Sequence, residues 1–167
     1  MHRLARAAGR MLGLGALCAL LGGPSRVQAA DSGSVFAVVC SPDVAITDLS
    51  LLDVRRLMLG ERRFWSANAP ATALMPTMGS PSRQFLFETV FHMNERTYRR
   101  HTLEQLYRGE IDYAPLVVGS AEEALAFVAA GHGAVTIVPL DRLGRSSVHV
   151  LRVEGRLPQE PGYPLAR

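Results

Sequence analysis

The sequence contains few cysteines, the residues that could cross-link the chain. Two cysteines occur in 167 residues, and Cys18 lies within the first thirty. Cys40 is therefore alone in the rest of the chain, which must be stabilised by a hydrophobic core rather than by an internal disulfide. Because Cys40 ends an apolar run, we expect a buried thiol at a strand end; the alternative is a reactive or dimer-forming thiol. No histidine pair has metal-ligand spacing on a predicted helix, so no metal or other cofactor is predicted.

Lysine is absent, and all 18 basic residues are arginine, against 15 acidic residues. Four of the arginines lie within residues 1–30, so the remaining chain has fourteen arginines and a formal charge of −1. The formal charge of +3 of the full sequence is therefore due to its N-terminal segment. This balance does not favour nucleic acid or a membrane surface as a partner.

Residues 1–30 have the pattern of a secretory signal peptide. Three arginines precede the apolar stretch from Met11 to Leu21, which is too short to span a membrane. Ala29 and Ala30 offer a cleavage site, so the mature chain would begin near Asp31. We predict Sec-dependent export to the periplasm and no membrane association after cleavage. The alternative is that the segment stays uncleaved as an anchor.

The rest of the chain is long enough for one domain with a proper core. Apolar runs predict strands at residues 35–40, 73–75, 134–138 and 148–153. These strands alternate with predicted helices, which favours an α/β fold whose sheet is covered on both faces. The predicted boundaries are a signal peptide over 1–30, a domain over 31–154, and a loose, proline-containing tail over 155–167.

Capping residues predict where the helices begin. Ser50 with Asp53, and Ser120 with Glu123, have the spacing of capping boxes. Asn94 is the predicted cap of a further helix. The inward side chains expected on that helix are Tyr98, Leu103, Leu106 and Tyr107.

The most informative motif is the segment from Gly79 to Arg83, which precedes an apolar run. Ser80 is a favourable N-cap, and Pro81 is tolerated best at the first helical position. A helix that begins here directs free N–H groups and its positive dipole end at two serine hydroxyls and a guanidinium. Helix N-termini of this kind bind small oxyanions such as phosphate or sulfate. The alternative is that Ser80 and Pro81 only start a helix.

Four motifs resemble, in order and spacing, those of the periplasmic phosphate-binding proteins of ABC transporters, and more closely their short single-domain relatives. A buried strand is followed by Ile46–Ser50, a helix ending at Gly60, and Trp65. Gly79–Ser82 stands where the family has Gly-Ser-Gly-Thr. The other two motifs are Gly119–Val128, and Gly131–Val135 with a strand to Pro139.

The resemblance implies a type 2 periplasmic-binding-protein fold, which is a single three-layer α/β domain with a central mixed sheet and helices on both faces. It implies a binding protein rather than an enzyme. Its ligand would be phosphate or a similar oxyanion, and its partner a transporter or sensor protein. The ligand-binding residues that it implies are Gly79, Ser80, Ser82 and Arg83.

This chain also departs from the family pattern. Pro76 stands where the family has an arginine, and Pro81 replaces a glycine whose N–H can donate. The family's other phosphate-binding segment, an N-terminal Gly-rich loop, has no counterpart in this sequence. About four or five hydrogen bonds of roughly 1 to 3 kcal/mol each, reduced by the entropy of association, predict millimolar affinity.

The alternative hypothesis is a degenerate family member without ligand that acts as a periplasmic protein–protein interaction module. Arg62, Arg63 and an exposed Trp65 would form its docking patch, since tryptophan and arginine are frequent interface anchors. Otherwise these arginines are solvated charges near a helix C-terminus. Glu122 and Glu123 are adjacent carboxylates, but capping accounts for Glu123, so acid–base catalysis is not predicted.

Overall fold

The computed structural model describes residues 34–167, and the predicted signal peptide lies outside the described residues. The strands are β1 Phe36–Cys40, β2 Asp48–Leu49, β3 Phe64–Ser66, β4 Ala69–Pro70, β5 Thr72–Met75, β6 Leu116–Val117, β7 Ala134–Pro139, β8 His149–Val150 and β9 Arg152–Val153. The α-helices are α1 Leu51–Met58, α2 Pro81–Phe85, α3 Glu95–Tyr107 and α4 Ala121–Ala129. Helix α2 continues directly into a π-helical segment, Leu86–Phe91, and a short 3-10 helix, Leu140–Arg142, follows β7.

Five strands form a central mixed sheet in the order β6-β5-β7-β1-β8. Strand β5 is parallel to β6 and β7, whereas β1 is antiparallel to β7 and β8. Because parallel strands end on the same side, the carboxyl ends of β5, β6 and β7 lie at one edge of the sheet. The amino end of β1 lies at the same edge, since Phe36 is paired with Pro139.

Helices cover both faces of this sheet, as predicted. Successive side chains of β1 point to opposite faces: Val38 and Cys40 pack in the core cluster that includes α1 and α2 residues. Ala37 and Val39 instead pack against Leu125 of α4. The predicted three-layer α/β domain is thereby confirmed.

The thiol of Cys40 is fully buried at the end of β1. Burial, and secondarily the charge of Asp43, raises the pKa of Cys40 to about 12. A thiol in this state is not ionised near neutral pH and is not a reactive nucleophile. The prediction of a buried strand-end thiol is confirmed.

The helices begin at the predicted caps. The side chains of Ser50, Ser80, Asn94 and Ser120 each accept a hydrogen bond from the backbone N–H three residues further on. None of the helices within residues 34–167 is long and apolar enough to cross a bilayer.

The prediction for the inward face of α3 is only partly correct. Tyr98 is buried, but Leu103 is 54% exposed and Tyr107 is 89% exposed. The buried face of this helix runs through Tyr98 and Thr102, which places residues 103 and 107 on the solvent side. Both of these apolar side chains remain uncovered by other described residues.

The C-terminal residues 155–167 are packed against the domain, which corrects the expectation of a loose tail. Tyr163 and Leu165 are buried. The N–H of Phe36 donates to the carbonyl of Leu165 at 3.0 Å. Proline spacing correctly suggests irregular backbone here, but it carries no information on whether the intervening apolar side chains enter the core.

Candidate functional site

A cavity of about 750 Å³ opens at the edge of the sheet where β5, β6 and β7 end. Two helix N-termini reach it: Ser80–Ser82 at the start of α2, and Ser120–Glu122 at the start of α4. In open α/β sheets, ligands bind outside the carboxyl ends of the strands. Because the strand order and both helix starts converge here, this cavity is the candidate functional site.

Ser80 lines the cavity, but its hydroxyl is already used by the turn. The Oγ of Ser80 accepts a hydrogen bond from the N–H of Arg83 at 3.2 Å. It also donates to the carbonyl of Thr77 at 2.8 Å. A hydroxyl has one proton to donate, so Ser80 could bind an anion only by releasing Thr77.

Ser82 is a polar residue of the cavity with unused hydrogen-bonding groups. It is 5% exposed and lines the cavity. Neither its hydroxyl nor its backbone N–H has a hydrogen-bond partner among residues 34–167. The buried hydroxyls without a partner in residues 34–167 are those of Thr102 and Tyr163, so the Ser82 hydroxyl is one that solvent reaches from the cavity. It is therefore free to donate to a ligand or water in the cavity.

Gly79 shapes the loop rather than the cavity wall. Its φ of +76° lies in the left-handed region, which glycine adopts without steric strain. The residue is exposed and does not line the cavity. Gly79 therefore allows the turn that brings Ser80 and Ser82 into position.

Arg83 does not reach the cavity, which corrects the prediction that it contacts a ligand. It is 5% exposed, and its Nε and Nη2 donate to the two Glu95 carboxylate oxygens at 3.2 and 2.8 Å. Its guanidinium carbon lies 5.2 Å from the centroid of the Phe87 ring and 5.9 Å from that of Tyr98. Three residues after the cap, the side chain of Arg83 points towards α3 instead of the loop.

The buried guanidinium holds the loop that precedes α2. Nη1 of Arg83 donates to the carbonyl of Pro76 at 2.8 Å, immediately after β5. The hydrogen bonds from Arg83 lower the pKa of Glu95, although partial burial acts in the opposite direction. Arg83 and Glu95 thus form an ionised pair that connects β5, α2 and α3, and Arg83 is a positioning residue of the site.

The N-terminus of α4 is closed by its own side chains. The Oγ of Ser120 accepts from the N–H of Glu123 at 3.0 Å, and Oε2 of Glu123 accepts from the N–H of Gly119 at 2.7 Å. The predicted capping box is confirmed. Glu122 lines the cavity and forms an ion pair of 3.6 Å with Arg142, with both side chains largely exposed.

The two helix starts differ in charge. Among the four α-helices of residues 34–167, α2 is the one without an acidic residue in its first turn. The positive end of its dipole is therefore not neutralised locally. In α4 the same end faces two carboxylates, Glu122 and Glu123. Within this cavity, the start of α2 is the more favourable place for an anion.

The structure also corrects the docking patch proposed around Trp65. Trp65 is buried, and its Nε1 donates to the carbonyl of Gly133 at 2.7 Å. Arg62 is paired with Asp53 at 3.0 Å, and Arg63 is paired with Asp112. The prediction was wrong because Trp65 follows two arginines in the sequence, which suggested an exposed patch. Its hydrogen-bond acceptor, Gly133, lies 68 residues away, so no local pattern indicates the contact.

Sequence reasoning missed several residues of the cavity. Thr77, Thr136 and Arg142 line it, and Thr136 is buried with its hydroxyl donating to the carbonyl of Leu74 at 2.9 Å. For Thr77 and Arg142 the available signal was their position, because both follow predicted strands within a few residues. Thr136 lies inside a predicted strand, where nothing local indicates that it lines a cavity. Within residues 34–167, no three metal-ligating side chains group closely enough to hold a metal ion.

No protein-family model matches the sequence, and no curated protein is similar to it at a significant level. Solved structures do resemble it. One, from Clostridium perfringens, is assigned as a phosphate ABC transporter substrate-binding protein and was solved with bound phosphate. Its TM-score is 0.61 at 15% identity, over 76% of this chain and 48% of that chain.

Two further structures show the same similarity. PstS from Borrelia burgdorferi has a TM-score of 0.64 at 15% identity, over 81% of this chain and 55% of that chain. An ABC-type phosphate transport receptor from Vibrio cholerae has a TM-score of 0.64 at 16% identity, with the same coverage of 81% and 55%. This chain thus spans about half the length of each relative, and over that half it has the fold of the phosphate-binding proteins.

Proposed function

We propose that this chain is an exported substrate-binding module that holds phosphate or a similar small oxyanion at the start of α2. The observation that carries the proposal is Ser82, which is 5% exposed and lines the cavity, and whose hydroxyl and N–H have no partner within residues 34–167. The missing acid in the first turn of α2 leaves the dipole available to an anion. The fold shared with a neighbour solved with bound phosphate supports the same ligand class.

The proposed roles of the four predicted residues differ. Ser82 donates to the oxyanion from its hydroxyl and its N–H, and Ser80 caps α2 while facing the same space. Gly79 supplies the turn, and Arg83 holds the loop from behind. About two or three such bonds of roughly 1 to 3 kcal/mol each, reduced by the entropy of association, lead to millimolar affinity.

The proposed setting is the periplasm, with the module accessory to a transporter or sensor protein. The neighbours are named as transport receptors and substrate-binding proteins, which supports a binding rather than an enzymatic role. The signal-peptide pattern of residues 1–30 supports export.

Isothermal titration calorimetry of the purified protein with phosphate and with sulfate tests this proposal. We expect saturable heat in the millimolar range, and Ser82→Ala should weaken binding by about 1 to 3 kcal/mol because two aligned donors become one. Ser66→Ala is the matched control, since Ser66 is an exposed serine that does not line the cavity. Equal affinities for the two variants, or no heat in a folded sample, would refute the proposal.

A second candidate function is protein–protein interaction without a small ligand. It is favoured by the exposure of Leu103 and Tyr107, which occupy the solvent side of α3. The pairing of Arg83 with Glu95, which keeps the Arg83 guanidinium out of the cavity, is also consistent with a protein–protein interaction module. The titration separates the two candidates, because only a binding module releases heat that depends on Ser82.

A further inference from the structure

The cavity is much larger than an inorganic oxyanion. Its volume of about 750 Å³ lies in the range of sites that hold organic molecules of drug-like size, roughly 300 to 1,000 Å³. Phosphate or sulfate consists of a single central atom and its oxygens, so either ion would fill only the space next to Ser82. Most of the cavity would then be left to solvent.

Much of the remaining lining is apolar. Strand β7 and the residue after it contribute Ile137, Val138 and Leu140. The amino end of β1 contributes Val35 and Phe36. The segment from β6 into α4 contributes Val118, Ala121 and Ala124. The loop and helix start around α2 contribute the hydroxyl groups of Thr77, Ser80 and Ser82. The other lining hydroxyl groups are those of Ser34, Ser120 and Thr136.

The charges at the cavity restrict the ligand further. Glu122, Asp141 and Arg142 line it, which gives two carboxylates against one guanidinium. These side chains would repel a second anionic group on a ligand whose first group lies at the start of α2. The lining therefore fits one anionic group and an uncharged, apolar body.

We propose that the ligand is an organic phosphate monoester or phosphonate, bound with its phosphoryl oxygens at Ser82 and its apolar body against the wall formed by β7 and α4. This inference rests on the proposed function, because it assigns the phosphoryl group to the same helix start. The apolar body adds contact area, and burying apolar area stabilises a complex by about 25 cal/mol per Å².

The test compares three probes by calorimetry on the purified protein: inorganic phosphate, phenyl phosphate and phenol. Phenyl phosphate should bind about tenfold or more tightly than inorganic phosphate, and phenol should bind more weakly than phenyl phosphate. Equal affinities for phosphate and phenyl phosphate would overturn this inference and leave the proposed function standing. No heat with any of the three would overturn both, and tighter binding of phenol than of phenyl phosphate would overturn the anionic site.

Two matched variants locate the apolar body. Leu140 and Leu143 are both partly buried and pack against the same core cluster, but only Leu140 lines the cavity. Leu140→Ser should weaken phenyl phosphate about tenfold and leave inorganic phosphate unchanged, whereas Leu143→Ser should change neither. An equal loss in both variants, or an unchanged affinity for phenyl phosphate in Leu140→Ser, would contradict the assigned wall.

Discussion

The starts of α2 and α4 both have a serine cap and face the same cavity, yet they differ in charge and in which hydrogen-bond donors are free. In each, a serine Oγ accepts the N–H three residues further on. Helix α4 adds Glu122 and Glu123, which neutralise its dipole, and the carboxylate of Glu123 also accepts from the N–H of Gly119. Helix α2 adds Pro81 and Ser82 instead, with no acid in its first turn. A serine cap therefore does not by itself indicate an anion site. What favours an anion at α2 is the set of hydrogen-bond donors without a partner and the lack of a negative charge in the first turn.

The two helix starts are also held differently. The start of α4 is stabilised by a local hydrogen bond, from the N–H of Gly119 to the carboxylate of Glu123, four residues further on. Helix α2 depends on Arg83, whose guanidinium spans from Pro76 to Glu95. In the proposed site the donors of Ser82 stay free for a ligand, so the start of α2 is held instead by the hydrogen bonds of Arg83 to Pro76 and Glu95.

The largest expected effect is on stability, when the hydrogen bonds of Arg83 to Pro76 and Glu95 are removed. Arg83→Met should lower the free energy of unfolding by about 2 to 3 kcal/mol, because it leaves Glu95 and the buried Pro76 carbonyl without their partner. Urea denaturation measures this. Arg99→Met is the control, since Arg99 is an exposed arginine 3.8 Å from the same carboxylate and its removal should cost less than about 0.5 kcal/mol. Similar losses in both variants would show that the buried contacts of Arg83 do not anchor α2.

The second prediction concerns oxyanion affinity when the charge difference between the two helix starts is reversed by substitution. Ser82→Asp should reduce oxyanion affinity by about tenfold or more, since it removes a donor and places a carboxylate at the dipole end. Glu122→Gln should act in the opposite direction and raise oxyanion affinity by about 0.3 to 1 kcal/mol, because it removes a negative charge and frees Arg142. Titration calorimetry with phosphate measures both. Shifts of the same sign would mean that charge at these positions does not control binding.

The smallest effect is the pH dependence of the Arg83–Glu95 pair. The pKa of Glu95 is lowered from 4.5 by its hydrogen bonds from Arg83, so its contribution to stability is complete above pH 4.5 and is lost as pH falls through the folded-state pKa. The unfolding free energy of the protein should therefore exceed that of Glu95→Gln by about 1 kcal/mol above pH 5, and the difference should shrink below pH 4.5.

The control for this pH series is Glu104→Gln. Glu104 is an exposed carboxylate on the same helix, and in the described part of the chain its one ion pair is with Arg100 at 3.9 Å. Its removal should change stability by less than about 0.5 kcal/mol. A difference between the protein and Glu95→Gln that persists unchanged at pH 3 would contradict the ionised pair.

Helix starts and strands could be predicted because their causes are local. Ser50, Ser120 and Asn94 each bond to an N–H three residues away, a distance that the sequence displays directly. The run before Cys40 is apolar on both faces, which is the pattern of a strand covered on both sides. The motifs around Ser80 correctly indicated a helix start at the edge of this sheet.

The failures concern side chains whose direction depends on distant elements. Tyr107 has a place in an apolar helical pattern, but no element formed by residues 34–167 covers its side of α3. Trp65 is buried because Gly133, far along the chain, accepts its N–H. Leu165 enters the core although it follows three prolines in an irregular segment. The spacing of apolar residues shows which side chains share one face of a helix or strand. It does not show whether another element packs against that face.

The sequence by itself determined the helix caps and the placement of two serines at the start of α2, because these are set by contacts over a few residues. It also indicated the fold class, through the alternation of predicted strands and helices. Only the tertiary structure decided what those serines can do. It turned Arg83 towards Glu95, left Ser82 unpaired, and opened a cavity wider than a phosphate ion. The physical reason is that burial, pairing and empty space depend on which elements meet, and that is a property of the packed domain rather than of any one segment.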